Sequence, residues 1–198
     1  MSWMHSTLAD LLGDNVTYRN LEPQDKRIPG LSSVWRELGL ESAAVPRKAT
    51  SAHALMLRHF ITSAQSLRGA PPVRRVLYVG DTAMSDGQAI RSLAPYWPVL
   101  GFIGAEKLQD EPSVSRDGEL LLANRWSALG DFAAWAASEG FAADERLAVL
   151  LDMDKTMIGA RGRNDRVIDA ARVAAVKRTL ATALGDQFDE ATFLAVYN

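Results

Sequence analysis

Two acidic clusters in this sequence have the residue types and spacing for chemistry. Asp152-Met153-Asp154-Lys155-Thr156 follows the apolar run Leu147–Leu151, and Gly80-Asp81-Thr82-Ala83-Met84-Ser85-Asp86 follows Val76–Val79. Each stands where a buried strand opens into a loop, and open α/β sheets bind their ligands beyond such strand ends. Carboxylates gathered at two strand ends, Asp81 and Asp86 with Asp152 and Asp154, repel one another unless a cation sits among them. A hard divalent ion with oxygen ligands, Mg2+ foremost, satisfies that set and also bridges to a phosphate. The single residue between Asp152 and Asp154 separates two tasks. The first carboxylate faces the substrate as nucleophile, and the second reaches the leaving oxygen as general acid and later base.

The elements that must position these groups follow from the apolar pattern. Val76–Val79, Val99–Gly104 and Leu147–Leu151 are short continuous apolar runs, the pattern of parallel strands covered on both faces, and Glu119–Leu122 reads as a further short strand. Between them, helical spacing predicts helices over Thr50–Leu67, Asp86–Leu93, Ser127–Ser138 with Gly140 as its stop, Arg166–Leu184 and Gln187–Tyr197. Ser33–Leu38 carries the same spacing. Residues 1–44 read as an irregular and helical arm, with a short helix near Leu8–Leu12 and Pro23, Pro29 and Gly30 as breakers. The alternation of strands and helices predicts an α/β protein, a Rossmann-like three-layer parallel sheet.

The bulk properties narrow the function classes. The chain has 198 residues, 47% of them hydrophobic and 23% charged, enough for one well-buried core. A net charge of −2 and no dense Lys/Arg block give no field for a polyanion, so nucleic acid is not an expected partner. With no cysteine, disulfides, thiolate metal sites and a cysteine nucleophile are excluded. The expected compartment is the cytoplasm. No apolar run approaches the ~20 residues of a membrane helix, and Met1–Asp10 lacks the form of a secretion signal.

Val149–Thr156, an apolar strand followed by Asp-x-Asp-x-Thr, resembles the first motif of the haloacid dehalogenase (HAD) superfamily. That resemblance implies Asp152 as the phosphorylated nucleophile and a metal ligand, Asp154 as the acid/base beside the metal, and Thr156 as a hydroxyl fixing the loop at the phosphate. An aspartate at the second position implies phosphotransfer rather than dehalogenation. Val76–Asp86 is similar to the fourth motif, with Asp81 binding the metal and Asp86 supporting it. Lys48 lies where the family's third motif places a lysine that steadies the negative charges. Ser32 or Ser33 would fill the second motif, a phosphate-binding hydroxyl. The implied activity is Mg2+-dependent hydrolysis of a small phosphorylated metabolite through an aspartyl-phosphate. A non-enzymatic HAD-like binding or assembly domain is the other reading.

The motif order departs from the family, because Asp152 comes 71 residues after Asp81 instead of before it. Three arrangements account for this. The chain is a circular permutation in which 45–140, with the Lys and Gly-Asp motifs, and 145–198, with the nucleophile motif, rebuild one site; or residues 1–140 are a HAD-like domain lacking its own nucleophile motif and 145–198 begin a second domain; or partner chains exchange halves, giving a homo-oligomer that completes the site. The uncapped apolar pattern at Phe193–Asn198 predicts that the sequence stops inside an element. By the resemblance, the helices from Arg166 onward would then begin a cap.

Several other residues invite a ligand but read as structural. His53 and His59 lie six apart on one helix, off a common face, and are expected as surface or half-buried residues rather than a metal pair. The Gly159–Asn164 loop, with Arg161 and Arg163, has the chemistry to meet a phosphate but reads rather as a solvated turn. Arg47-Lys48 is read equally as a solvated basic pair.

Overall fold

The computed structural model describes residues 16–157 and 165–197. The expected helix near Leu8–Leu12 and the Gly159–Asn164 loop lie outside the described residues. The chain divides into two compact units, 1–156 and 157–198.

The first unit opens with a short helix, α1 (Leu31–Val34), followed by turns where the sequence spacing predicts a helix to Leu38. Leu31 and Val34 pack with Leu21 and Ile28 against Met56 and Phe60 of α2 (Ser51–Leu67). The Thr50 side chain caps α2 by accepting from the His53 amide, which fixes where the helix begins and where Lys48 stands ahead of it. Next come β1 (Arg75–Gly80), a π-helical turn at Ala83–Gly87, and α3 (Gln88–Leu93). The chain continues through β2 (Val99–Gly104), β3 (Val114–Asp117) and β4 (Leu120–Ala123) into α4 (Leu129–Ser138) and β5 (Leu147–Leu151).

The strands form one five-stranded sheet in the order β3-β4-β2-β1-β5, parallel except for the antiparallel β3. Side-chain alternation sends the strands' apolar groups to two cores. Val76 and Tyr78 of β1, with Val99 and Ile103 of β2, pack under Ala54 of α2 and Ile90 and Leu93 of α3. Val79, Leu100, Phe102 and Leu121 point the other way, onto Phe132, Trp135 and Ala136 of α4. The architecture is therefore α/β, a mostly parallel sheet flanked by helices, compatible with a Rossmann-like fold.

Two strands depart from the sequence expectation. β3 was not expected; all its residues are exposed, and Arg91 on α3 holds its turn through ion pairs to Asp117 and Glu119. β5 was expected as a strand buried on both faces, yet it pairs only with β1 and leaves Val149 and Leu151 exposed. Its five residues carry the composition of a central strand at the edge of the sheet.

The second unit contains α5 (Asp165–Leu184) and α6 (Glu190–Tyr197), joined by a 3-10 turn at Gly185–Gln187. Asp189 caps α6 by accepting from the Thr192 amide, and Lys177 pairs with Glu190 across the turn. Among the described residues, no helix is long and apolar enough to cross a membrane.

Candidate metal and phosphate site

The parallel pairing of β1 with β5 brings the two acidic loops side by side. Val79 is in register with Leu151, and the Asp152 amide donates to the Val79 carbonyl at 2.9 Å, one step beyond the named strands. Asp81 and Asp152 thus leave neighbouring strand ends on the carboxyl side of the sheet. Asp81, Asp86 and Asp152 each offer an oxygen within 4.8 Å of the others, all inside one chain. Neither separate domains nor exchanged halves are needed to bring these carboxylates together.

The loop after β1 is organised around Asp86, at 1% exposure the most deeply buried charged group among the described residues. Its Oδ2 accepts from the amides of Asp81 (3.2 Å) and Thr82 (3.1 Å). Its Oδ1 accepts from Lys48 Nζ (2.8 Å) and from the Tyr78 hydroxyl (3.2 Å). Four donors fill the four lone-pair sites of a carboxylate. Asp86 therefore holds the loop and the lysine, and Asp81 and Asp152 remain as the more available oxygens. The carboxyl of Asp86 lies directly over Gly80, where an added Cβ would stand 2.6 Å from the Asp86 Cβ and Cγ. Only glycine lets side chain and strand approach so closely.

Lys48 reaches the same centre from the start of α2, with its ammonium 2.8 Å from Asp86 Oδ1 and 2.5 Å from Asp152 Oδ1. It is half-buried between two carboxylates while Arg47 is exposed, so the pair is not simply a solvated one. Burial opposes the lysine's charge, but the hydrogen bonds to Asp152 and Asp86 outweigh it and hold the ammonium above its ordinary pKa. Asp81 has the opposite problem. Burial raises its pKa, the Thr82 hydroxyl at 3.0 Å offsets part of this, and the charges of Asp86 and Asp152 raise it further.

The loop after β5 is organised differently. Lys155 adopts φ 62°, a left-handed conformation uncommon for a side-chain-bearing residue, which turns the chain sharply after Asp154. The Thr156 Oγ1 that follows is buried without a hydrogen-bond partner. A buried hydroxyl costs free energy unless paired. Asp154, half-buried in this loop, is not one of the three converging carboxylates.

These observations test the fit of a divalent cation. The donor set is all carboxylate oxygen, the type hard cations select. Burial first, and then the charges of Asp86 and Asp152, disfavour the ionised form of Asp81, which a bound cation would offset. The three carboxylates could hold a hard divalent cation.

Two of the expected residues are placed elsewhere. Ser32 and Ser33 stand in α1 rather than behind a strand. The Ser33 hydroxyl donates to the Gly30 carbonyl (2.9 Å), and the Ser32 amide donates to Glu22 (2.9 Å). No described contact joins either residue to the carboxylates, because α1 is committed to packing on α2.

Sequence reasoning missed Tyr78 and misjudged His53. Tyr78 reads as part of an apolar run, yet its hydroxyl is the only polar tip on that face of β1 and it meets Asp86. Burial, then the charge of Asp86, keeps its phenol protonated well above the ordinary range. His53 is buried at 7% exposure, not half-exposed, and its Nδ1 has no partner. Burial, with Lys48's charge next, lowers its pKa to about 4, so the ring is neutral near pH 7. The signal for His53 was its position one residue before Ala54 on the inward stripe of α2.

No protein-family model, curated protein or solved structure matches this chain.

Proposed function

We propose that this chain is a Mg2+-dependent phosphohydrolase of HAD type acting on a small phosphorylated metabolite. The observation that carries the reading is the convergence of Asp81, Asp86 and Asp152 at adjacent parallel strand ends, with Lys48 bridging Asp86 and Asp152. Asp81 and Asp152 would hold the ion, with Asp86 behind them. When bound, Mg2+ supplies charge neutralisation at the phosphoryl oxygens.

The residues divide the remaining work. Lys48 offsets the charge of Asp152 and favours approach of a phosphate dianion. Asp152 attacks phosphorus, forming an Asp152–phosphate bond as the ester P–O bond breaks, and Asp154 gives its proton to the leaving oxygen. Water then attacks the acyl phosphate, Asp154 recovers a proton from it, and inorganic phosphate leaves. The Thr156 hydroxyl donates to a phosphate oxygen.

Asp152→Asn tests this directly. Hydrolysis of an aryl phosphate in Mg2+ should fall by on the order of 10³-fold or more. Turnover equal to that of the unaltered protein removes the mechanism.

The position of Ser32 and Ser33, away from the carboxylates, favours a second reading, a HAD-like binding or assembly domain without turnover. Calorimetry with Mg2+ and beryllofluoride separates the two. Tight, metal-dependent binding of this phosphate mimic counts against a purely structural role.

A further inference from the structure

The geometry points to Tyr78 as a positioning residue that sets how Lys48 divides its ammonium between Asp86 and Asp152. This inference rests on the phosphohydrolase reading for its kinetic consequence, but not for its structural one. Tyr78 is 5% exposed on β1, an interior strand of the sheet, and its hydroxyl donates to Asp86 Oδ1, the oxygen that also accepts from Lys48. The other oxygen of Asp86 is taken by two backbone amides, so these two donors share one acceptor atom.

An oxygen that already accepts one hydrogen bond attracts a second donor less strongly. Lys48 bridges Asp86 Oδ1 and Asp152 Oδ1, so a competing donor on the first oxygen favours its bond to the second. Tyr78 thereby biases the ammonium toward the carboxylate that would act as nucleophile. A plain alternative is that the hydroxyl merely finds a partner because it is buried. The two ideas differ in whether Tyr78 acts through Lys48.

Tyr78→Phe removes one oxygen and keeps the ring. With Oδ1 then free for the lysine alone, the ammonium moves toward Asp86 and leaves Asp152 more negative. The expected loss is about tenfold in kcat/KM for an aryl phosphate, the scale of one hydrogen bond. It should fall mainly on KM, with inhibition by inorganic phosphate weakened in parallel, because a more negative Asp152 repels the dianion before any bond changes.

The test is a double-mutant cycle with Lys48→Met. Tyr78→Phe should cost about tenfold in kcat/KM beside Lys48 and nothing further beside Met at that position. An equal loss in both backgrounds, or no loss beside Lys48, overturns the inference. A readout without turnover keeps the two readings apart. The 15Nζ resonance of Lys48 and its proton-exchange rate should both change in Tyr78→Phe protein that retains the wild-type fold by circular dichroism. An unmoved resonance overturns the positioning role, and a moved one supports it even in a protein that hydrolyses no phosphate.

Discussion

The loops after β1 and β5 each deliver a carboxylate to the same point, but by different means. After β1, a π-helical turn folds Asp86 back onto Gly80 and fills every acceptor site with a donor. After β5, the chain turns through a left-handed Lys155 and buries a Thr156 hydroxyl that meets nothing. In the first loop the Asp86 carboxylate is fully paired without a ligand. The second leaves a buried hydroxyl unpaired. A site with one finished wall and one unfinished wall keeps its geometry while leaving its binding energy to be gained on the open side.

The largest expected effect comes from breaking the finished wall. Gly80→Ala places a methyl carbon 2.6 Å from the Asp86 Cβ and Cγ, so the aspartate or the strand must move. Overpacking of this kind costs about 1–3 kcal/mol. Thermal unfolding should show the loss, and Mg2+ binding by calorimetry should weaken with it. An unchanged Tm together with unchanged Mg2+ affinity would mean that the wall is pliant.

A smaller effect is expected where the two walls meet, at Asp81. Its folded pKa is raised, so the folded state holds the proton more tightly than the unfolded chain does. Stability from this group is present at low pH and is lost as pH rises from about 4 through the raised value. In chelator, Tm should therefore carry a downward contribution over that range that Asp81→Asn removes. Added Mg2+ should reverse it. A Tm profile identical for the two proteins in chelator would sink the assignment.

The smallest effect on stability belongs to the unfinished wall. Thr156→Val removes a hydroxyl that pairs with nothing, so stability should change by less than about 0.5 kcal/mol, or rise. Beryllofluoride binding should nevertheless weaken about tenfold. A variant that loses several degrees of Tm would show that the hydroxyl had a structural partner after all.

Much of this arrangement was legible in the sequence. Continuous apolar runs named β1, β2, β4 and β5 within a residue or two; for β1 and β2 because a parallel strand covered on both faces permits little else, whereas β5 carries the same run at an edge. The acidic residues directly behind β1 and β5 are the ones that converge, whereas Lys48 was singled out only through the resemblance to a family motif. Antiparallel β3 was missed because Val114-Ser115-Arg116-Asp117 carries no apolar alternation; only its Asp117-Gly118 turn pointed to a hairpin. Ser32 and Ser33 were misassigned because a hydroxyl's chemistry is visible in sequence and its partner is not. Tyr78 was hidden for the converse reason. In an apolar run a tyrosine reads as packing, and nothing local reveals the carboxylate folded back toward its tip.

The adjacency of β1 and β5 also governs when the site comes into being. The lysine and the carboxylate it bridges lie 104 positions apart, and β5 can dock on β1 only after the chain has passed through β2, the hairpin and α4. Contacts of such long range form late, since loop closure comes before any gain from them. A chain still emerging from the ribosome, or halted before β5, presents the lysine and the first acidic loop without their partner. Closure of the three-carboxylate cluster is then a natural reporter of a finished sheet, and proton-exchange protection at the Asp152 amide should be among the last to develop during refolding.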